Sequence, residues 1–303
     1  MQENATSWVT IPPTMPDIRL VVCDMDGTLL DERSQLPEGF WEIHRLLTDN
    51  NVVFVPASGR QLATLTHMFQ PDDDTQSRSA PTLGPPIDDF IAENGNLVVH
   101  SGERIWQNVI PTTVAHDVTR LVREGNAKGR NMGVVMCAAD GAYVDRDDDP
   151  FLIEAQKYYA TLSVVDNVDD IDDDFVKFAI YDFEDAESAV SEIFGSLDEA
   201  YQPVVSGKHW IDVMDKDVNK GVALRRLQES LGITREQTAV FGDYLNDREM
   251  MAEGAYSFAM ENAHPIIMQE ASYWAPAHTQ AGVSQVLRHL FTTKVPTRTQ
   301  CPS

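Results

Sequence analysis

A chain of 303 residues has room for one large domain or two ordinary ones, each with a core of its own. Its 48 acidic residues against 23 basic ones give a net charge of −25, which excludes binding a polyanion such as nucleic acid through surface charge. No apolar run approaches membrane-spanning length, and Met1–Thr10 lacks the basic start and apolar stretch of an export signal. Cys23, Cys137 and Cys301 are odd in number, scattered, and read as free thiols. The expectation is a cytoplasmic protein with no membrane and no nucleic-acid partner, its excess acid serving solubility.

Residues 1–17, with Pro12, Pro13 and Pro16 and no periodicity, read as a flexible arm. The apolar run Ile18 to Cys23 predicts a buried strand ending in Asp24-Met25-Asp26-Gly27-Thr28. A helix is predicted from about Glu38 to Asp49, with Phe40, Ile43, Leu46 and Leu47 on one face. A second apolar strand, Val52 to Ala57, ends in Ser58-Gly59-Arg60, and a helix follows from about Gln61 to Phe69. Strand-helix-strand-helix order implies right-handed crossovers and a parallel sheet covered on both faces. Residues 71–86, rich in Pro, Asp and Ser, read as a loop.

From about Gly95 to Val204 the pattern changes. A hairpin turned at Ser101-Gly102 precedes helices near Thr112–Glu124 and Pro150–Tyr159, with strands at Val134–Ala138 and Phe175–Tyr181. Such a mixture predicts a separate α+β domain. The parallel pattern is expected to return with the strand Trp210–Met214, a helix from about Asn219 to Leu231 and a strand Thr238–Gly242. The predicted fold class is therefore α/β: a doubly wound, Rossmann-like core (18–94 and 205–292) interrupted by an inserted domain (95–204). Residues 293–303 read as a tail.

Three core strands end in polar residues: Asp24 with Asp26, then Ser58, then Gly242-Asp243 leading to Asn246-Asp247. Open α/β sheets bind ligands just past the carboxyl ends of their strands. Asp24 and Asp26, spaced i, i+2 on extended backbone, share a side and invite division of labour between nucleophile and proton carrier. Close carboxylates also call for a hard cation. Mg²⁺ takes oxygen ligands, which Asp24, Asp243, Asp247 and the backbone carbonyl of Asp26 can supply. Ser58 and the amide of Gly59, at a helix start, suit a phosphoryl oxygen, and Lys220 can neutralise charge on it. Even with one Mg²⁺ and one Lys the cluster stays negative, which makes Asp26 the natural carrier of a proton for the leaving group.

In order and spacing, Asp24-Met25-Asp26-Gly27-Thr28, Ser58, Lys220 and Gly242-Asp243-x-x-Asn246-Asp247 resemble the four motifs of the haloacid dehalogenase-like phosphatases. The long insertion before Lys220 is similar to the type IIB cap of their Cof-type subfamily, and Ala92-Glu93-Asn94-Gly95 and Val176-Lys177-Phe178 echo bacterial sugar phosphatases of that group. The resemblance implies Mg²⁺-dependent hydrolysis of small phosphorylated metabolites, often sugar phosphates. It places Arg60, Asn94 and Lys177, along with Asn246, near the substrate. A phosphomutase is the alternative on the same core, and monomer and homodimer both stay open. Glu261 stands where the family usually has Gly, and Pro276-Ala277-His278-Thr279-Gln280 replaces an acidic, Asn-rich loop.

Other motifs carry less. Ser206-Gly207-Lys208 lacks the Gly and the Ser/Thr of a phosphate loop, and Asp145-x-Asp147-x-Asp149 has Pro150 where a calcium loop needs Gly. The His residues show no paired spacing for zinc. Asp166 to Asp174 reads as a solvated edge.

Overall fold

The computed structural model describes residues 5–12, 17–70 and 85–291. The 71–84 part of the predicted loop, the tail from 293 and residues 1–4 and 13–16 of the predicted arm lie outside them. The chain divides into two compact units, one of residues 1–57, 71–89 and 224–303, the other of residues 58–70 and 90–223.

The first unit is built on parallel strands in the order Thr6–Ser7, Tyr273–Ala275, Tyr256–Met260, Thr238–Gly242, Leu20–Asp24 and Val53–Ala57. Leu20 to Cys23 and Ala239 to Phe241 are wholly buried, as expected of parallel strands covered on both faces. Asp24 is in register with Ala57, and Cys23 with Phe241, so three strands end at one level. This is the doubly wound α/β arrangement predicted from the order of elements. The predicted flexible arm is corrected in part: Thr6–Ser7 extends the sheet beside Tyr273–Trp274, and Trp8 meets the His289 ring edge-on. A two-residue strand has no period to detect, although Trp8 and Ile11 were available as anchors.

The helix Phe40–Asp49 buries Phe40, Ile43, His44 and Leu47 and packs beside the helix Gly282–Phe291. Its inward face thus includes His44 in place of the expected Leu46, which is only half-buried. His44 sits among the rings of Phe40, Trp41 and Phe54, and its Nδ1 has no hydrogen-bond partner among the described residues.

The second unit holds a sheet in the order Tyr201–Val205, Trp210–Asp215, Phe175–Asp182, Met132–Ala138, Ala142–Val144 and Leu162–Val164, antiparallel except for the last pair. Trp210–Asp215 is a correction: expected to resume the parallel pattern, it pairs antiparallel on both sides. One face of this sheet packs Phe175, Phe178, Ile180, Ile211 and Val213 against the helices Thr112–Ala127 and Ala186–Ile193. The other packs Val176, Ala179 and Tyr181 against the helix Asp149–Ala155 and Tyr159. The same unit carries the antiparallel meander Phe90–Ala92, Leu97–His100, Glu103–Gln107, which includes the predicted hairpin.

Burial lowers the pKa of His44 below its ordinary 6.5. Folded His44 therefore binds fewer protons than the unfolded chain, and its share of stability, complete above that value, is lost as pH falls through the folded pKa. Denaturant titrations of the wild type should show a loss between about pH 7.5 and pH 5 that His44→Leu reduces. Equal losses in both would contradict this assignment.

Candidate active site

Asp24 closes its strand with extended backbone, and the chain then makes a tight turn through Met25–Leu29. Gly27 takes φ +85° in this turn, and a Cβ there would also run into the Asp243 carboxylate. Across from it, Asp243 follows the strand Thr238–Gly242. A Cβ on Gly242 would lie 2.7 Å from the Asp247 Cβ, so the absence of a side chain lets Asp247 fold back over its own strand end. There Asp247 Oδ2 accepts the N–H of Asp243 at 3.0 Å and of Tyr244 at 3.2 Å.

These turns bring Asp24, Asp243 and Asp247 together, with one carboxylate oxygen from each inside 4.8 Å of the others. Asp247 is fully buried, Asp24 nearly so, and Asp243 is half-buried. At such distances in a partly buried site each like-charged pair costs on the order of 3 kcal/mol. Neutral donors offset part of this: Thr28 Oγ1 donates to Asp243 Oδ1 at 3.0 Å, and Asn262 Nδ2 approaches Asp243 Oδ2 at 3.4 Å. The donor set, three carboxylates without nitrogen or sulfur, fits a hard divalent cation such as Mg²⁺. The Asp26 side chain is exposed and outside this group, and Asn246 is exposed on the turn Leu245–Asp247.

The remaining candidates lie in the second unit. Ser58 is buried; its Oγ accepts the Arg60 N–H at 3.1 Å, its N–H donates to the Ile91 carbonyl and its carbonyl accepts from Asn94 N. With Oγ already accepting, its proton is directed to another acceptor. Gly59 and Arg60 follow on the same turn, and both are half-buried. Lys220 is buried at the first position of the helix Lys220–Leu231, whose start is capped by Asn219 Oδ1 accepting Val222 N at 2.9 Å. Asn94 Nδ2 donates to Asp212 Oδ2 at 3.2 Å. Lys177, which the resemblance places near the substrate, is only 2% exposed and ion-paired to Glu93 at 2.6 Å.

Sequence reasoning passed over Thr28, Asn262, Glu93 and Asp212. Thr28 stood inside the motif, and Asn262 beside the noted Glu261. Asn262 also donates to the Gly27 carbonyl at 2.8 Å and accepts the His278 N–H at 3.1 Å, tying the first turn to the atypical loop. Glu93 and Asp212 carried a detectable signal, since each is an acid in or next to an apolar strand run. Glu261 is exposed and avoids the left-handed backbone that would demand Gly. Of the acids in the calcium-like motif and the solvated edge, Asp145 and Asp169 both engage Arg123, and the neighbouring Asp148 pairs with Arg146.

An all-oxygen cluster past the ends of parallel strands is a place suited to a hard cation. Over residues 21–287 the chain matches the haloacid dehalogenase-like hydrolases, and it belongs to that family. It is 31% identical over 281 residues to the 5-amino-6-(5-phospho-D-ribitylamino)uracil phosphatase YbjI of Escherichia coli, covering 89% of this chain and 95% of that protein. It is 26% identical over 257 residues to the HMP-PP phosphatase of Escherichia fergusonii, covering 83% and 87%. The crystal structure of TM0651 from Thermotoga maritima matches with a TM-score of 0.74 at 25% identity, over 89% of this chain and 97% of that one. The chain is thus a Cof-type phosphatase, a phosphoric monoester hydrolase. Among the described residues no helix is long and apolar enough to cross a membrane.

If the carboxylate cluster binds Mg²⁺, the ion at a hundred times its Kd should raise wild-type stability by about 2.7 kcal/mol, read as a shift in the unfolding midpoint. In Asp243→Asn most of that shift should vanish, and Gly27→Ala should lose roughly 1–3 kcal/mol even without metal. Equal Mg²⁺ stabilisation of Asp243→Asn and wild type would contradict the assignment.

Proposed function

We propose that the chain is a Mg²⁺-dependent phosphatase of phosphorylated sugars or sugar-like metabolites that works through an aspartyl-phosphate on Asp24. The observation that carries this reading is the carboxylate cluster, with its oxygens inside 4.8 Å, at the ends of adjacent parallel strands. Support for the substrate class comes from the E. coli relative, whose named substrate bears a 5-phospho-D-ribityl group.

Mg²⁺ on Asp24, Asp243, Asp247 and the Asp26 carbonyl would neutralise phosphoryl oxygens and hold them toward the nucleophile. An Asp24 carboxylate oxygen attacks phosphorus while Asp26 gives its proton to the departing alkoxide. Asp26 then takes a proton from water, whose oxygen attacks the phosphorus of the aspartyl-phosphate and restores Asp24 with release of inorganic phosphate. The family resemblance assigns Ser58, the Gly59 amide, Lys220 and Asn246 to the phosphoryl oxygens, and Arg60 and Asn94 to the substrate. The inserted cap falls within the second unit, over residues 95–204 as read from the sequence, and the antiparallel pairing of Trp210–Asp215 supports extending it past Asp215. A cytoplasmic setting agrees with this substrate class.

The test is phosphate release from a panel of phosphorylated sugars, polyols, nucleotides and amino acids. Release should need Mg²⁺, stop with EDTA, and fall roughly a thousandfold or more in Asp24→Asn. Turnover that survives either treatment would contradict the mechanism. Transfer only in the presence of a bisphosphate, without net release, would replace hydrolysis by a mutase reaction.

A further inference from the structure

Lys177 sits at an irregular point of its strand. Phe175 pairs with Ala138 and Lys177 with Cys137, so Val176 is an extra residue, a β-bulge. Beyond the bulge the strand alternates normally, Phe178 and Ile180 to one face, Ala179 and Tyr181 to the other. The extra residue puts Val176 and Lys177 together on the Tyr159 side, and the ammonium comes to rest 5.7 Å over the Tyr159 ring. Bulges that re-aim one side chain cluster near functional sites.

The ammonium meets two segments there. It donates to the Gly59 carbonyl at 2.9 Å and pairs with Glu93 Oε2 at 2.6 Å, with Asp212 Oδ1 at 3.9 Å. Glu93 and Asn94 are consecutive non-glycine residues in the left-handed region, at φ 51° and 56°. Such backbone persists only where its surroundings hold it. Two backbone hydrogen bonds join this turn to the other segment: Glu93 N to the Arg60 carbonyl at 3.2 Å and Asn94 N to the Ser58 carbonyl at 2.9 Å. Burial opposes a charge on Lys177, yet the carboxylates of Asp212 and Glu93 outweigh it and hold the amine protonated.

We propose that Lys177 is a positioning residue: from its bulge it clamps the Ser58–Arg60 turn to the left-handed Glu93–Asn94 turn and so fixes the Ser58 hydroxyl for the substrate phosphoryl group. The proposal rests on the phosphatase reading for its last clause and on the contacts above for the clamp. Lys177 acts through Gly59 and Glu93 and does not touch substrate.

Lys177→Met alone would leave Glu93 and Asp212 buried without their cation and risks unfolding. The double variant Lys177→Met/Glu93→Gln removes the close Lys177–Glu93 pair together, a change that buried pairs often tolerate, and leaves Asp212 with the Asn94 amide as its donor. The full-length variant and wild type are compared by amide exchange, by thermal unfolding, and by kcat, KM and competitive inhibition by inorganic phosphate. The clamp predicts exchange across residues 58–61 and 93–95 at least tenfold faster with the strand Met132–Ala138 still protected. It also predicts weaker inorganic-phosphate inhibition and a higher KM, each by roughly tenfold, the worth of one hydrogen bond to a charged group. A folded double variant with wild-type exchange in these segments and wild-type phosphate inhibition overturns the proposal. If the double variant does not fold, Glu93→Gln is judged by the same readouts. A wild type inert toward every phosphate ester would sink the functional reading alone, and the exchange comparison would still decide the clamp.

Discussion

The constraint on which the first unit turns is the repulsion among three carboxylates held within 4.8 Å of one another. Spontaneously, such groups separate or take up protons. Here the backbone denies them the first choice. Asp24 is fixed by a strand buried on both faces, and Asp247 is folded over Gly242 and held by two N–H donors. Thr28 and Asn262 then hold Asp243, and Gly27 supplies the space that Asp243 fills. Rigidity of this kind has an electrostatic cost that a bound cation would offset, and it would hold Asp24 in place for its proposed role as nucleophile.

The second unit meets a related problem by another route. It buries Lys177, Glu93 and Asp212 with little solvent, pairs the ammonium with Glu93 Oε2 and the Gly59 carbonyl and Asp212 with Asn94, and leaves Glu93 Oε1 without a hydrogen-bond partner among the described residues. A buried ion pair of this sort adds little net stability compared with apolar packing, but it penalises every arrangement that separates its members. Its members come from segments far apart in sequence, and one is anchored in left-handed backbone. Specificity of loop geometry, more than stability, is what such a pair provides.

The parts legible in the sequence were those with a local signature. Strand Thr238–Gly242 matches its predicted bounds, and the Asp24 turn announced itself through carboxylates beside Gly27. Non-local pairing was not legible. Trp210–Asp215 looks like any half-apolar strand, and nothing in six residues says whether its neighbours run parallel. The burial of Lys177 was not legible for the same reason: a lysine in a strand ordinarily snorkels, and the bulge that turns it inward depends on pairing with Cys137. The convergence of Asp243 on Asp24 was inferable from strand ends, while the supporting Asn262 had no pattern of its own.

The most direct test of the account is a crystal structure of the chain with Mg²⁺ and beryllium fluoride, which mimics a phosphoryl group on a carboxylate. The expected result is a fluoroberyllate on Asp24, with the metal bound by the carboxylates of Asp24 and Asp243. A metal bound elsewhere, or an adduct that forms on no aspartate or on a different one, would contradict it.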